Sequence, residues 1–148
     1  MVHSSHYTSS VFVSFQFLFL GLLVFSGPIL AEHWLLLLLE SGGILFGLWS
    51  IWVMQIGNFN ISPEVAPSGH LVTQGPYRII RHPMYASVLL VSLALVLNEL
   101  TVWRSLFFFG LVITVCLKCR YEESLLESHF PGYEDYETGT WRIIPFVY

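Results

Sequence analysis

Charge is what this sequence has least of. Its 148 residues include six Lys and Arg and ten Asp and Glu, so charged side chains make up 11% of the chain. An ordinary soluble domain carries roughly 25%. So little polar surface cannot cover a water-soluble globule of this size, which excludes the usual soluble enzyme domain. A net charge of −4 without clustered Lys and Arg gives a nucleic-acid partner no electrostatic footing. Two cysteines, Cys116 and Cys119, make no disulfide framework. Their C-x-x-C spacing lacks the second pair that a zinc site of about four ligands needs, so no metal is expected. Neither G-x-G-x-x-G nor G-x-x-x-x-G-K-[ST] occurs, and no elbow serine with its triad is present.

What the chain has instead is apolar bulk: 55% hydrophobic and 16% aromatic residues, with a mean hydropathy of +0.67. Such a composition also excludes disorder. It predicts an all-α integral membrane protein, one domain over residues 1–148. A crossing helix needs about 20 apolar residues, and four runs come close, at about 11–30, 34–56, 84–98 and 101–118. The polar tail before the first run has no Lys or Arg, so that run is expected to be retained rather than cleaved as a signal peptide. With Glu32 and His33 between the first two runs, those two should form a tight antiparallel hairpin. Gly43 and Gly47, spaced G-x-x-x-G, let another helix backbone approach closely. Glu40 either faces protein or water inside the second span or lies near its interface. The stretch Gly57 to Pro83 reads as a loop, and the fourth helix should run on to about Phe130, where Pro131-Gly132 stops it.

Four spans place both termini, the loop and the C-terminal tail on one side. Five of the six basic residues, Arg78, Arg81, Lys118, Arg120 and Arg142, then share that side, and Arg104 stands opposite. Basic residues favour the cytoplasm, so a multi-pass protein with its polar segments facing the cytosol is expected.

Chemistry concentrates in those segments. Gly75-Pro76-Tyr77-Arg78, Arg81-His82-Pro83-Met84-Tyr85, Glu122-Glu123, Tyr133-x-x-Tyr136 and Arg142-Ile143-Ile144-Pro145 together resemble the isoprenylcysteine carboxyl methyltransferase family. The related phospholipid N-methyltransferases are similar over the same region, roughly Asn58 to Phe146. The resemblance implies an integral-membrane methyltransferase using S-adenosylmethionine, with a lipophilic methyl acceptor drawn from the membrane lipid phase. By match to the family, His82 and Tyr85 would be catalytic. Leu71, Val72, Tyr77, Arg81, His82, Pro83, Met84, Tyr85 and Glu122 would line the cofactor site, and Lys118 would meet the substrate. Lys118 stands where the prenylcysteine-directed members carry an Arg, keeping the charge without the two-pronged geometry. A phospholipid N-methyltransferase-like enzyme and a non-catalytic scaffold of the same fold are the alternatives.

Physical chemistry agrees with such a site. A water-soluble cofactor and a lipophilic acceptor can meet only at the membrane interface, and an aromatic face attracts a sulfonium by cation–π interaction. Taken singly, the same residues suit blander roles. Arg81 and His82 fit interfacial snorkelling, Tyr77 and Tyr85 fit an aromatic belt, and Glu122 and Glu123 fit surface pairs with Lys118 and Arg120. Adjacent helical residues point about 100° apart. One pocket can therefore rarely use both; the resemblance implies Glu122 on the cofactor, while Glu123, three residues after Arg120, has the spacing of a surface pair.

Overall fold

The computed structural model describes residues 2–54 and 70–148. Among these, five α-helices follow one another: α1 (Val2–Phe25), α2 (Trp34–Met54), α3 (Pro83–Asn98), α4 (Val102–His129) and α5 (Tyr133–Thr138). A 3₁₀ turn covers Gly75–Arg78. Among the described residues no strand forms beyond one isolated parallel bridge between Ile80 and Trp141.

Local chemistry sets the helix ends. Gly27-Pro28 stops α1 five residues before the expected Leu30, while its polar beginning is helical well before Val11. Pro83 opens α3 at a position where its missing N–H costs nothing. The Thr101 side chain caps α4 by accepting the Arg104 N–H at 3.2 Å. Pro131 and Gly132, the latter left-handed at φ 89°, end the run after Phe130 as expected. The expected end of the second span, Ile56, and most of the loop from Gly57 lie outside the described residues.

Among the described residues, three helices are long and apolar enough to cross a membrane, over Tyr7–Phe25, Trp34–Met54 and Val102–His129. With 16 residues, α3 is about 24 Å long, against a hydrocarbon core of about 30 Å. The outward faces are apolar, with Phe17, Leu38, Leu45 and Phe109 all exposed. Trp34 and Trp52 are both exposed on α2. They lie about 27 Å apart along its axis, close to the spacing of two interfacial aromatic belts.

The helix pairing corrects one sequence expectation. α1 and α2 are joined through residues 26–33 but form no tight hairpin; α2 packs on α3, and α1 packs on α4. Small residues decide these pairs, because they let backbones approach. Gly43 and Gly47 make the notch for α3, where the Ser87 hydroxyl donates to the Gly43 carbonyl at 2.7 Å. On α4, Gly110 makes room for the Phe19 ring of α1. A side chain at Gly43 would meet Val91 and the α3 backbone, whereas one at Gly42 meets open space. Gly43→Val is therefore expected to cost about 1–3 kcal/mol by overpacking, read as a lower thermal midpoint in detergent. Gly42→Val should leave that midpoint unchanged.

The end of the bundle formed by the C-termini of α1 and α3 is held by buried polar groups. Glu40, 4% exposed, accepts the Ala31 N–H at 3.0 Å. It thus faces protein, beneath the α1–α2 turn. Arg104 is fully buried and donates to the Leu95 carbonyl at 2.7 Å, satisfying an orphan acceptor in the last turns of α3.

Candidate functional site

At the opposite end, three separate segments converge on the start of α3. Gly75, at φ 56°, turns the chain against Val53 of α2. The segment 79–82 then runs beside the tail beyond α5. Trp141 N–H donates to the Ile79 carbonyl at 3.1 Å, and the Arg81 and His82 N–H groups donate to the Trp141 and Arg142 carbonyls at 2.8 and 3.0 Å. This short ladder fixes the His82 backbone before α3 begins.

Beneath it sits Glu123, 3% exposed. Its Oε1 accepts from Arg81 Nε at 2.8 Å and lies 3.2 Å from His82 Nε2, while Oε2 accepts from Arg142 Nε at 2.6 Å. The hydrogen bond to Glu123 holds the Arg142 guanidinium charged, above the ordinary arginine range. Arg81 is fully engaged. Besides Glu123 it donates to the Glu137 and Thr140 carbonyls at 2.9 and 2.6 Å and to Glu137 Oε1 at 3.1 Å. The expected surface pair of Glu123 with Arg120 is therefore overturned: Arg120 is exposed, and Glu123 is the buried acceptor for three donor side chains.

The neighbouring carboxylate behaves differently. Glu122 keeps a side chain 27% exposed, and its Oε2 accepts the Tyr85 hydroxyl at 2.8 Å. His82 stacks on Tyr85 with centroids 5.4 Å apart, and His82 Nδ1 lies 3.7 Å from the same Glu122 oxygen. Glu123, receiving two arginines, is an acceptor, so His82 Nε2 is the donor of their contact. Nδ1, on the other edge of the ring, lies on the Glu122 side.

Lys118, 1% exposed, lies against the Tyr85 ring with Nζ 4.9 Å from the centroid, and it donates to Gln16 Oε1 of α1 at 2.9 Å. Tyr77 is buried, its hydroxyl pointing at the Ser50 carbonyl of α2 at 3.5 Å. Burial, and then the Glu122 charge, push that hydroxyl well above the tyrosine range, so it stays a donor. Its carbonyl accepts the Tyr136 hydroxyl at 2.7 Å, which ties the Y-x-x-Y segment to the site.

Of the residues singled out in the sequence, the fold thus gathers His82, Tyr85, Glu122 and Lys118 into one cluster, with Tyr77 buried beside it and Arg81 beneath it. Pro83 is buried and Met84 half-buried in the first turn of α3, while Leu71 and Val72 are half-buried in the irregular segment before the 3₁₀ turn. Sequence reasoning missed Gln16, whose signal was a lone amide inside an apolar run. The anchoring work of Arg142 was missed as well. Among the described residues no group of three or more His, Cys, Asp or Glu could hold a metal, and both cysteines are free thiols.

A family model described as phospholipid methyltransferase matches residues 31–132 of the chain. No curated protein and no solved structure matches it.

Proposed function

The chain belongs to the phospholipid methyltransferase family, and from that premise we propose that it is an integral-membrane enzyme moving a methyl group from S-adenosylmethionine to a lipophilic acceptor. The reading is carried by one observation: the Arg81–Tyr85 block and the Glu122-Glu123 pair, 37 or more residues apart in sequence, meet in one cluster. The donor set suits the cofactor. A half-exposed carboxylate, a hydroxyl and an imidazole match an ammonium and ribose hydroxyls, and Tyr77, Leu71, Val72, Pro83 and Met84 supply apolar and aromatic walls beside them. When bound, S-adenosylmethionine supplies an electrophilic methyl carbon whose bond to sulfur breaks with the electron pair staying on sulfur.

The acceptor favoured by the family is a phospholipid head-group amine. An ammonium must lose a proton before it can attack. His82 Nδ1 is placed to take it, while Glu123 holds the ring through Nε2. Arg81 acts as a positioning residue, because its donors are already engaged. Lys118, beneath Tyr85, supplies the positive charge facing the acceptor's anionic group. The second reading is the carboxylate of a prenylated cysteine, favoured by the R-H-P-x-Y block; it needs no base.

Calorimetric titration of the purified protein with S-adenosylmethionine tests the cofactor, and no saturable binding would sink the enzyme in favour of a scaffold. Labelled methyl transfer to phosphatidylethanolamine, its N-methylated forms and a farnesylated cysteine then identifies the acceptor. Glu122→Gln should weaken cofactor binding about ten- to a hundredfold, since a hydrogen bond to a charged group contributes roughly 1.5–3 kcal/mol.

Four crossings, with the site on the cytosolic face, complete the reading. The short α3 runs antiparallel to α2 in the same layer, and five of six basic residues belong to the site end. In a protein with Cys116 and Cys119 replaced by alanine, Thr138→Cys should label from the cytosol and Leu100→Cys from the other side. Labelling of both from one side would remove α4 as a crossing, and labelling of Gln74→Cys from the same side as Leu100→Cys would remove α3.

A further inference from the structure

Below the polar cluster the bundle is not closed. A groove of about 190 Å³ runs along α3, walled by Leu20 and Leu23 of α1, Ile44 of α2, and Val88, Ser92 and Leu95 of α3. Its open side follows from the helix pairing: α1 and α2 each pack elsewhere, and the half-exposed Ile44 stands at the gap between them.

Register joins this groove to the site above. Tyr85, Val88, Ser92 and Leu95 fall at spacings of three and four, on one face of α3. Gln16, Leu20 and Leu23 make the matching stripe on α1. Both stripes begin at one point, because Lys118 bonds Gln16 while lying against the Tyr85 ring. A molecule that lies along the groove and continues about one turn beyond Val88 on this face of α3 reaches Tyr85 and the cluster around it. The walls from Val88 to Leu95 cover about 10 Å of helix axis, so the groove averages roughly 20 Å² in section. That is room for one extended alkyl chain and not for two side by side.

We propose that this groove seats one hydrocarbon chain of the methyl acceptor, entering from the bilayer between α1 and α2, with its head group at His82. The proposal rests on the methyltransferase reading for the head group only; the chain site is a separate claim with its own readout. It makes the acceptor a lipid gripped by a single chain, over about the first six methylenes, each near the volume of a water molecule at about 30 Å³. A two-chain phospholipid leaves its second chain in the bilayer.

The test uses the full chain in nanodiscs with phosphatidylethanolamine carrying a photoactivatable diazirine in one acyl chain. Cross-links mapped by mass spectrometry are expected at Leu20, Val88 and Ser92, and unlabelled lipid should compete them away. Ser92→Leu, which fills the groove, should remove those cross-links. It should raise the KM for lipid at least tenfold and leave the affinity for S-adenosylmethionine within about twofold. Should Ser92→Leu not fold, Val88→Phe narrows the same groove from a half-buried position. Cross-links spread evenly over outward residues such as Phe17, Leu38 and Trp52 would overturn the chain site, as would an unchanged KM in a folded, groove-filling variant. Competed labelling in the groove with no methyl transfer to any acceptor would refute the proposed activity and leave the chain site standing.

Discussion

Replacing His82 by alanine is expected to lower methyl transfer to an amine acceptor about a hundred- to ten-thousandfold, the usual contribution of a positioned base. The protein should stay folded. Glu123 loses one partner in that variant but keeps Arg81 and Arg142, so no buried charge is stranded. Cofactor binding should weaken but remain saturable, since the imidazole is lost from the set while Glu122 and Tyr85 remain bonded to each other. The measurement is turnover under saturating cofactor, with the rate followed as pH is raised. A lost base is partly bypassed when the amine deprotonates by itself, so the defect should shrink at high pH. Near-normal turnover at neutral pH would make the imidazole a purely structural neighbour of Glu123. A carboxylate acceptor, needing no base, would show a defect that does not shrink with pH.

Glu123→Gln should have the largest effect on stability. An amide there offers one acceptor where the carboxylate offered two oxygens, and its NH₂ group points a donor at an arginine donor. Breaking one side of a buried ion pair costs about 3–5 kcal/mol. The lower half of that range is expected, because the Arg142 side chain is still 21% exposed. The thermal midpoint in detergent should fall by on the order of 10 °C. Glu122→Gln, one residue earlier, should barely move the midpoint and should act on cofactor binding instead. Equal midpoints for the two variants would show that Glu123 is not the anchor of the tail.

The contrast between these two glutamates shows where sequence reasoning stops. Their 100° separation on the helix gives them different partners, Tyr85 for Glu122 and Arg81, His82 and Arg142 for Glu123. The spacing from Arg120 suggested a surface pair for Glu123, which is wrong at this place. The end of α4 is flanked on two sides, by the start of α3 and by the returning tail, so both carboxylates meet protein. Which segments flank a helix is a property of the whole chain and leaves no mark on the helix's own periodicity.

By itself, the sequence determined what depends on near neighbours. Apolar runs of sufficient length made the helices. Gly27-Pro28, Pro83, Thr101 and Pro131-Gly132 set their ends through local backbone geometry, and the spacing of Arg81, His82 and Tyr85 put those side chains at the head of α3. Only the tertiary structure decided the partners. α1 turned to α4 and α2 to α3 because glycine notches at Gly43, Gly47 and Gly110 admit close approach, and that choice opened the groove between α1 and α2. Gln16 reached Lys118 across 102 residues of chain for the same reason. In an apolar phase all greasy faces are alike, so the pairing rests on shape and on a few buried polar contacts, and those form only when distant segments meet.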